Sequence, residues 1–428
     1  MELMNAKGTR DYAPEEMIQR QKLINLFTEV FELFGYSPLE TPILERFDVL
    51  SAKYAGGSDI LKETFKLCDQ GKRKLGLRYD LTVPFCRFVG MNTQLKMPFK
   101  RYQMGAVFRD GPLKLGRMRQ FFQCDVDVVG TKSMVADAEI VKITLEFFKR
   151  LELDVTVEIN NRKVLDGLLE ALDIPEEKWL DVILVVDKIK KIERDKILKE
   201  LKQKGVTKKI GDALLDTFKI EGTNKQKIKT LQDKYKNKTL SEGLKEVEDV
   251  LNYVQNKNVV FSVSLARGLA YYTGTVFEGV MKDECFSSSL CGGGRYDKMI
   301  GNLLGNEKEF PSVGISFGVE SILTVLEMKG KIKGNKTVSQ VYVIPIGIEE
   351  KVMPVVDEFR KASIKTDMDI SGKSISKNLD YADKMGIPFV LFVGKKELEK
   401  KKVKLKDMKE GTEDMLSVKD AIKRVLDA

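Results

Sequence analysis

The sequence predicts an α+β protein: a strand-rich body, interrupted by a helical stretch and followed by a smaller α/β domain. Three observations carry this. Residues 107–130 read as two strands joined by a basic loop bearing glycine and proline, the pattern of an antiparallel hairpin. From about 165 to 256 the chain turns lysine- and leucine-rich, mostly helical, with little strand signal. Beyond a polar, glycine-containing linker at 329–337, strands and helices alternate, which implies a mostly parallel sheet.

The elements follow in order. Leu23, Phe27, Val30, Phe31 and Phe34 recur at helical spacing within 19–34, and Gly35 fits the stop. Residues 36–45 read as a strand carrying Pro38 and Pro42; proline donates nothing to a ladder, so this strand belongs at an edge or an interface. Asp80 and Thr82 stand two apart, hence on one face if 77–85 is extended. The hairpin loop carries Arg109, Lys114, Arg117 and Arg119, and on the return strand Gln123, Asp125 and Asp127 share one face by period two. A short β-favouring run, 259–263, precedes Arg267-Gly268-Leu269-Ala270-Tyr271-Tyr272. The glycine run at 292–294 allows close backbone approach to a ligand and suits a loop equally. Gly314 and Gly318 begin a strand-to-helix passage. In the last domain 341–346 and 388–394 read as buried strands. Helices are expected near 350–361, 374–385 and 418–426.

Composition bounds the function. A chain of 428 residues, 43% apolar and 32% charged, is long enough for two or three folded domains. No apolar run approaches bilayer length and the first residues lack a secretory core, so a cytoplasmic location is expected. Five cysteines without CxxC spacing argue against a disulfide framework or zinc knuckle. A net charge of +9 suits a polyanion such as RNA, although most of the excess is lysine on solvated faces. The chain holds no histidine, which excludes imidazole as base, nucleophile or metal ligand. Chemistry must rest on Arg, Lys, carboxylates, backbone and substrate.

These segments together resemble the histidyl-tRNA synthetase family of class II aminoacyl-tRNA synthetases. The helix and proline-bearing strand at 19–45 resemble motif 1, residues 107–130 motif 2, and 312–322 motif 3. Arg267-Gly268-Leu269-Ala270-Tyr271-Tyr272 is similar to the histidine-specific motif, and 371–388 to the anticodon-binding domain. The resemblance implies a catalytic domain built on an antiparallel sheet in two parts, 1–165 and 257–328. It implies a helical insertion at 166–256 that touches the tRNA acceptor arm, a linker at 329–337 and an anticodon-binding domain at 338–428. It implies ATP and Mg2+, L-histidine and tRNA(His) as partners, and a homodimer through motif 1. Arg109 and Arg267 would act on the α-phosphate. Asp80, Thr82, Gln123, Asp127, Tyr271 and Tyr272 would hold histidine with those two arginines, and Arg109, Arg117, Arg119 and Gly318 would hold ATP. Arginines for a carboxylate and acids for an ammonium make a zwitterion pocket.

Two positions depart from the family pattern: Ala270 where aspartate is frequent, and Ser321 where motif 3 carries an arginine along ATP. The alternative reading is a silent paralogue that senses histidine or tRNA, such as the regulatory subunit of the first enzyme of histidine biosynthesis. Ser321 stands for it; the C-terminal domain, absent from that subunit, and Asp80, Arg109 and Arg267 stand against it. A non-enzymatic RNA-binding protein would account for the charge alone.

Overall fold

The structure is a computed structural model describing residues 2–52, 57–113, 118–186, 188–189, 192–266, 271–283, 285–332 and 336–428. The chain divides into two compact units, Met1–Arg10 with Leu23–Lys331, and Asp11–Lys22 with Ile332–Ala428. The boundary at 331/332 falls inside the expected linker.

The first unit carries strands β1 (Ser37–Pro38), β2 (Leu44–Arg46), β3 (Lys66–Cys68), β4 (Lys74–Leu77), β5 (Phe99–Phe108), β6 (Gln120–Val129), β7 (Val155–Asn161), β8 (Val259–Phe261), β9 (Thr275–Met281), β10 (Cys291–Arg295) and β11 (Ser312–Gly318). Eight of them form one sheet in the order β1-β5-β6-β11-β10-β9-β7-β8, and β2-β4-β3 form a small antiparallel one. From β5 across to β7 every neighbour is antiparallel. Only the edge strands β1 and β8 join in parallel.

Both edges are closed to further pairing in ways the sequence dictates. β1 contains Pro38 and pairs over two residues only. Along β8 the Asn224 side chain donates to Val259 O (2.9 Å) and accepts from Phe261 N–H (2.9 Å), and Lys227 Nζ caps Phe261 O (3.0 Å). A helix thus supplies the partners that another strand would otherwise offer.

The helix Pro14–Leu33 begins earlier than the apolar spacing suggests, because Pro14 opens it and Glu15 and Glu16 fill its first turn. Leu23, Phe27, Val30 and Phe31 are buried as expected. Phe27 stacks on Phe147 of the helix Met134–Arg150 (centroids 3.9 Å apart, 11°) and meets Phe317 of β11 at 5.2 Å. This aromatic cluster covers one face of the sheet, which leaves the other for the site.

The lysine- and leucine-rich stretch is helical as its periodicity predicts, with Arg162–Ala171, Trp179–Val186, Arg194–Gln203, Lys208–Phe218, Asn224–Lys234 and Lys238–Val254. Caps start these helices: Asn161 accepts Lys163 N–H (2.9 Å), and Thr223 and Gln226 form a capping box. Val182, Ile197, Leu201, Leu214 and Leu215 form its core. The expected boundary at 166 falls inside the helix Arg162–Ala171, which leaves β7 without a break.

In the second unit β12 (Val341–Ile346), β13 (Thr366–Met368), β14 (Phe389–Gly394), β15 (Val403–Asp407) and β16 (Glu413–Leu416) are ordered β13-β12-β14-β15-β16. The first three are parallel. The expectation of a mostly parallel sheet is corrected at the other side, where β14-β15-β16 are antiparallel. The link from β15 to β16 is a tight turn, and a parallel crossover needs a dozen residues or more. Val341, Val343, Val356, Phe359, Leu391 and Leu405 form the core with the helices Met353–Lys361 and Val418–Leu426. Among the described residues no helix is long and apolar enough to cross a membrane.

Candidate active site

The opposite face of the large sheet holds a cavity lined by Asp80, Thr82, Arg109, Gln123, Asp125, Asp127, Tyr271, Tyr272, the glycines of β10, Tyr296 and Ser316. Its floor is the period-two face of β6. Gln123, Asp125 and Asp127 project together, as predicted, and pair in register with Gly105, Gln103 and Arg101 of β5 and with Gly318, Ser316 and Gly314 of β11.

The acids are held apart by specific partners. Arg101, fully buried, places Nη2 2.8 Å from Asp127 Oδ2 and lays its guanidinium over Phe85 at 4.1 Å. Tyr296 donates its hydroxyl to Asp127 Oδ1. Asp125 is 2% exposed, and among the described residues its Oδ1 has no hydrogen bond of ordinary geometry. Burial pushes the Asp127 carboxyl up, against the pull of Arg101 and Tyr296. Burial raises Asp125 to about 7; Arg101 opposes the rise, the neighbouring Asp127 adds to it, and a hydrogen bond with the Ser316 hydroxyl pulls it back.

The expectation that Asp80 and Thr82 share a strand face is corrected. β4 ends at Leu77 and Thr82 opens the helix Thr82–Met91, where Asp80 Oδ1 accepts Val83 N–H at 3.0 Å. A carboxylate suits a helix start, since the first turn leaves unpaired N–H groups and a partial positive charge. Both side chains line the cavity all the same. Burial raises Asp80 to about 6, against that N–H bond and Arg109. Arg109 follows the last residue of β5. Its Nε donates to Tyr79 O (3.0 Å) and its guanidinium lies 5.0 Å from the Phe121 ring, so carbonyl and ring together fix the cation at the cavity wall.

The glycine run is a strand, not a loop. A Cβ on Gly314 would stand 1.9 Å from Asp127 Oδ1, and one on Gly293 2.0 Å from Gly314 O. The close approach these glycines allow is to Asp127 and to the neighbouring strand. Tyr271 and Tyr272 meet at 4.7 Å between ring centroids, and Tyr271 and Tyr296 meet edge to face at 6.3 Å. Thr273 ties this segment to β10: its N–H donates to Arg295 O (2.8 Å) and its hydroxyl accepts Asp297 N–H (3.0 Å). Arg295 in turn is paired with buried Asp137.

The structure therefore brings together Asp80, Thr82, Arg109, Gln123, Asp127, Tyr271 and Tyr272. It does not bring Arg119 or Gly318 into the cavity lining. Arg119 pairs with Asp110 (Nη2 to Oδ1, 3.1 Å), and Gly318 caps the helix Val319–Met328. Beside it Glu320 accepts Phe122 N–H (3.0 and 3.1 Å), and Ser321 follows. Arg267 and Arg117 lie outside the described residues. Sequence reasoning left Arg101, Asp125, Tyr296 and Ser316 unassigned. The period-two face already pointed to Asp125, and Tyr296 stands two residues after the glycine run. Nothing in the chain marks Arg101, which follows Lys100 and reads as a surface cation.

An antiparallel sheet whose long hairpin floors an acidic, phenol-lined pocket, with an α/β unit after it in the chain, is the architecture of a class II aminoacyl-tRNA synthetase. The family model described as histidyl-tRNA synthetase matches residues 8–322, and that described as anticodon binding domain matches 340–428. A Bacillus cereus histidine–tRNA ligase 1 is 43% identical over 418 residues, covering 96% of this chain and 95% of its own. A Nostoc histidyl-tRNA synthetase structure superposes with a TM-score of 0.86 at 30% identity, covering 99% of both chains. A Bacillus halodurans structure titled ATP phosphoribosyltransferase regulatory subunit/histidyl-tRNA synthetase shares the fold at 20% identity, with a TM-score of 0.77 over 92% of this chain and 99% of that one. The chain belongs to the histidyl-tRNA synthetase family.

Proposed function

We propose that this chain is an ATP-dependent histidine–tRNA ligase that forms histidyl-adenylate from L-histidine and ATP and passes the histidyl group to tRNA(His). The observation that carries the reading, beside family membership, is the convergence of Asp80, Thr82, Gln123 and Asp127 with Arg109, Tyr271 and Tyr272 on one cavity. Acids and hydroxyl suit the ammonium, the cation suits carboxylate and α-phosphate, and the phenols suit a small polar ring.

In the first step a histidine carboxylate oxygen attacks the α-phosphorus, the bond to the bridging oxygen breaks, and pyrophosphate leaves. Negative charge grows on the α-phosphate oxygens. Arg109, already fixed by Tyr79 O and Phe121, meets that charge without reorganising. Arg267 is assigned to the same charge. ATP enters as its magnesium complex, with Arg109, Arg117, Arg119 and the Gly318 turn on the nucleotide side. In the second step the terminal ribose hydroxyl of tRNA attacks the adenylate carbonyl and AMP leaves. No imidazole is available as base, so the substrate's own oxygens take the proton.

The helical segment is assigned to the acceptor arm of tRNA and residues 338–428 to its anticodon. A homodimer through the helix Pro14–Leu33 and β1 is supported by that edge strand's exposed position and by exposed Leu33. The cytoplasm is the proposed location.

The test is histidine-dependent ATP–pyrophosphate exchange, followed by charging of tRNA(His) transcript. Exchange with histidine and with no other amino acid supports the reading. Histidine binding without exchange identifies a sensing paralogue, the reading to which Ser321 points. Sedimentation velocity decides the dimer.

A further inference from the structure

Asp127 has both oxygens engaged, by Tyr296 and by Arg101. Asp125, two residues before it on the same face and in the cavity lining, has no ion pair of this kind: the Ser316 hydroxyl acts on its carboxyl, and among the described residues its buried Oδ1 has no hydrogen bond of ordinary geometry. An unpaired buried carboxylate oxygen is costly unless a ligand completes it. The groups facing it set its character. Gln123 and Asp127 flank it on β6, Gln103 and Arg101 face it from β5, and Ser316 lies opposite on β11. Arg78 and Asp80 act on it from the segment before the helix Thr82–Met91.

We infer that Asp125 is a specificity-determining residue whose carboxylate accepts a hydrogen bond from an N–H donor of the bound amino acid. This rests on the histidine reading above. The donor is the ring N–H or the ammonium, and the experiment separates the two. Because burial holds Asp125 partly protonated near pH 7, the acceptor form gains as pH rises through that value.

The test compares wild type with Asp125→Asn and Asp125→Glu in pyrophosphate exchange from pH 5.5 to 8.5. Histidine and β-(2-thienyl)alanine, which lacks the ring N–H, are the substrates, with thermal melts alongside. The expected result for Asp125→Asn is a histidine KM raised about tenfold with ATP KM unchanged, and loss of the rise in kcat/KM for histidine near pH 7. Asp125→Glu retains that rise. A collapse of discrimination against the thienyl analogue assigns the ring N–H, and an equal rise in KM for both assigns the ammonium. An Asn variant that keeps the wild-type pH profile and histidine KM overturns the inference, whatever its melting temperature. Wild type inactive with histidine would instead sink the functional reading itself.

A second, independent observation is the absence of histidine from all 428 residues. Exposed polar positions such as Gln94, Gln203, Lys229 and Glu410 place no steric bar against it. We propose that the chain can be synthesised while charged tRNA(His) is scarce, so that its own product never limits its supply. This too rests on the ligase reading. Histidine codons at those four positions, in a strain with this gene as sole source of the activity, are expected to lengthen the lag after histidine starvation at least twofold. Asparagine codons at the same positions should leave it unchanged. Equal lags, with both purified proteins charging tRNA normally, overturn the proposal; failure of the wild-type protein to charge refutes the ligase reading.

Discussion

The Tyr296 hydroxyl donates to Asp127 Oδ1 across 169 positions of sequence. It joins the strand that ends the glycine run to the return strand of the basic hairpin, and it aims the one carboxylate already fixed by Arg101. Tyr296→Phe removes this bond and leaves a buried oxygen short of a donor, a loss of about 1–3 kcal/mol. The expected outcome is a histidine KM raised about tenfold or more with ATP KM within twofold of wild type, measured by pyrophosphate exchange.

Arg109 meets transition-state charge more than ground-state charge. Arg109→Ala is expected to lower kcat by about 10²–10³, the range for losing one preorganised donor. Arg109→Lys should recover little, because a point charge loses the planar fork. Single-turnover adenylate formation checks both, and equal rates for Lys and Arg would remove the geometric argument.

Ser321 follows Glu320, whose carboxylate is held by Phe122 N–H. Ser321→Arg restores the family's cation at an anchored position. A charge-assisted contact of roughly 1.5–3 kcal/mol would lower ATP KM about tenfold and leave histidine KM alone. An unchanged ATP KM would show that another group already supplies the contact.

The buried acids also set pH dependence. Burial raises the Asp125 pKa to about 7 in the folded state, above its unfolded value, so its contribution is fully present below about pH 4. That contribution is lost as pH rises through the folded value. Asp125→Asn removes the charging cost. Its melting temperature should exceed wild type at pH 8, and the difference should close toward pH 4. A constant difference across that range would contradict the assignment.

Much of this was legible in the chain. Strict alternation along β6 put three cavity-lining side chains on one face. The apolar strands and helices of the second unit were read almost to the residue: Val341–Ile346 and Val418–Leu426 match outright. Asp80 and Thr82 were misplaced because two residues at a helix start look like alternation when the helix behind them, which includes Pro84, is mostly apolar. The glycine run suited a loop as well as a strand because the groups that require glycine there come from distant positions: Gly314 O against Gly293, and Asp127 against Gly314. Arg101 was invisible for the same cause: only the β5-β6 register puts it under Asp127. Local pattern reports faces and periods, whereas pairing register decides which distant groups meet.

β11 is the last strand of its sheet to be made, yet it lies at the centre, between β6 and β10. Until it docks, one half of the pocket ends at β6 and the other at β10, each with a bare row of amides. A nascent chain therefore cannot hold an amino acid before residue 318 has left the ribosome, and a truncation short of Ser312 would leave two sticky rims in place of an enzyme.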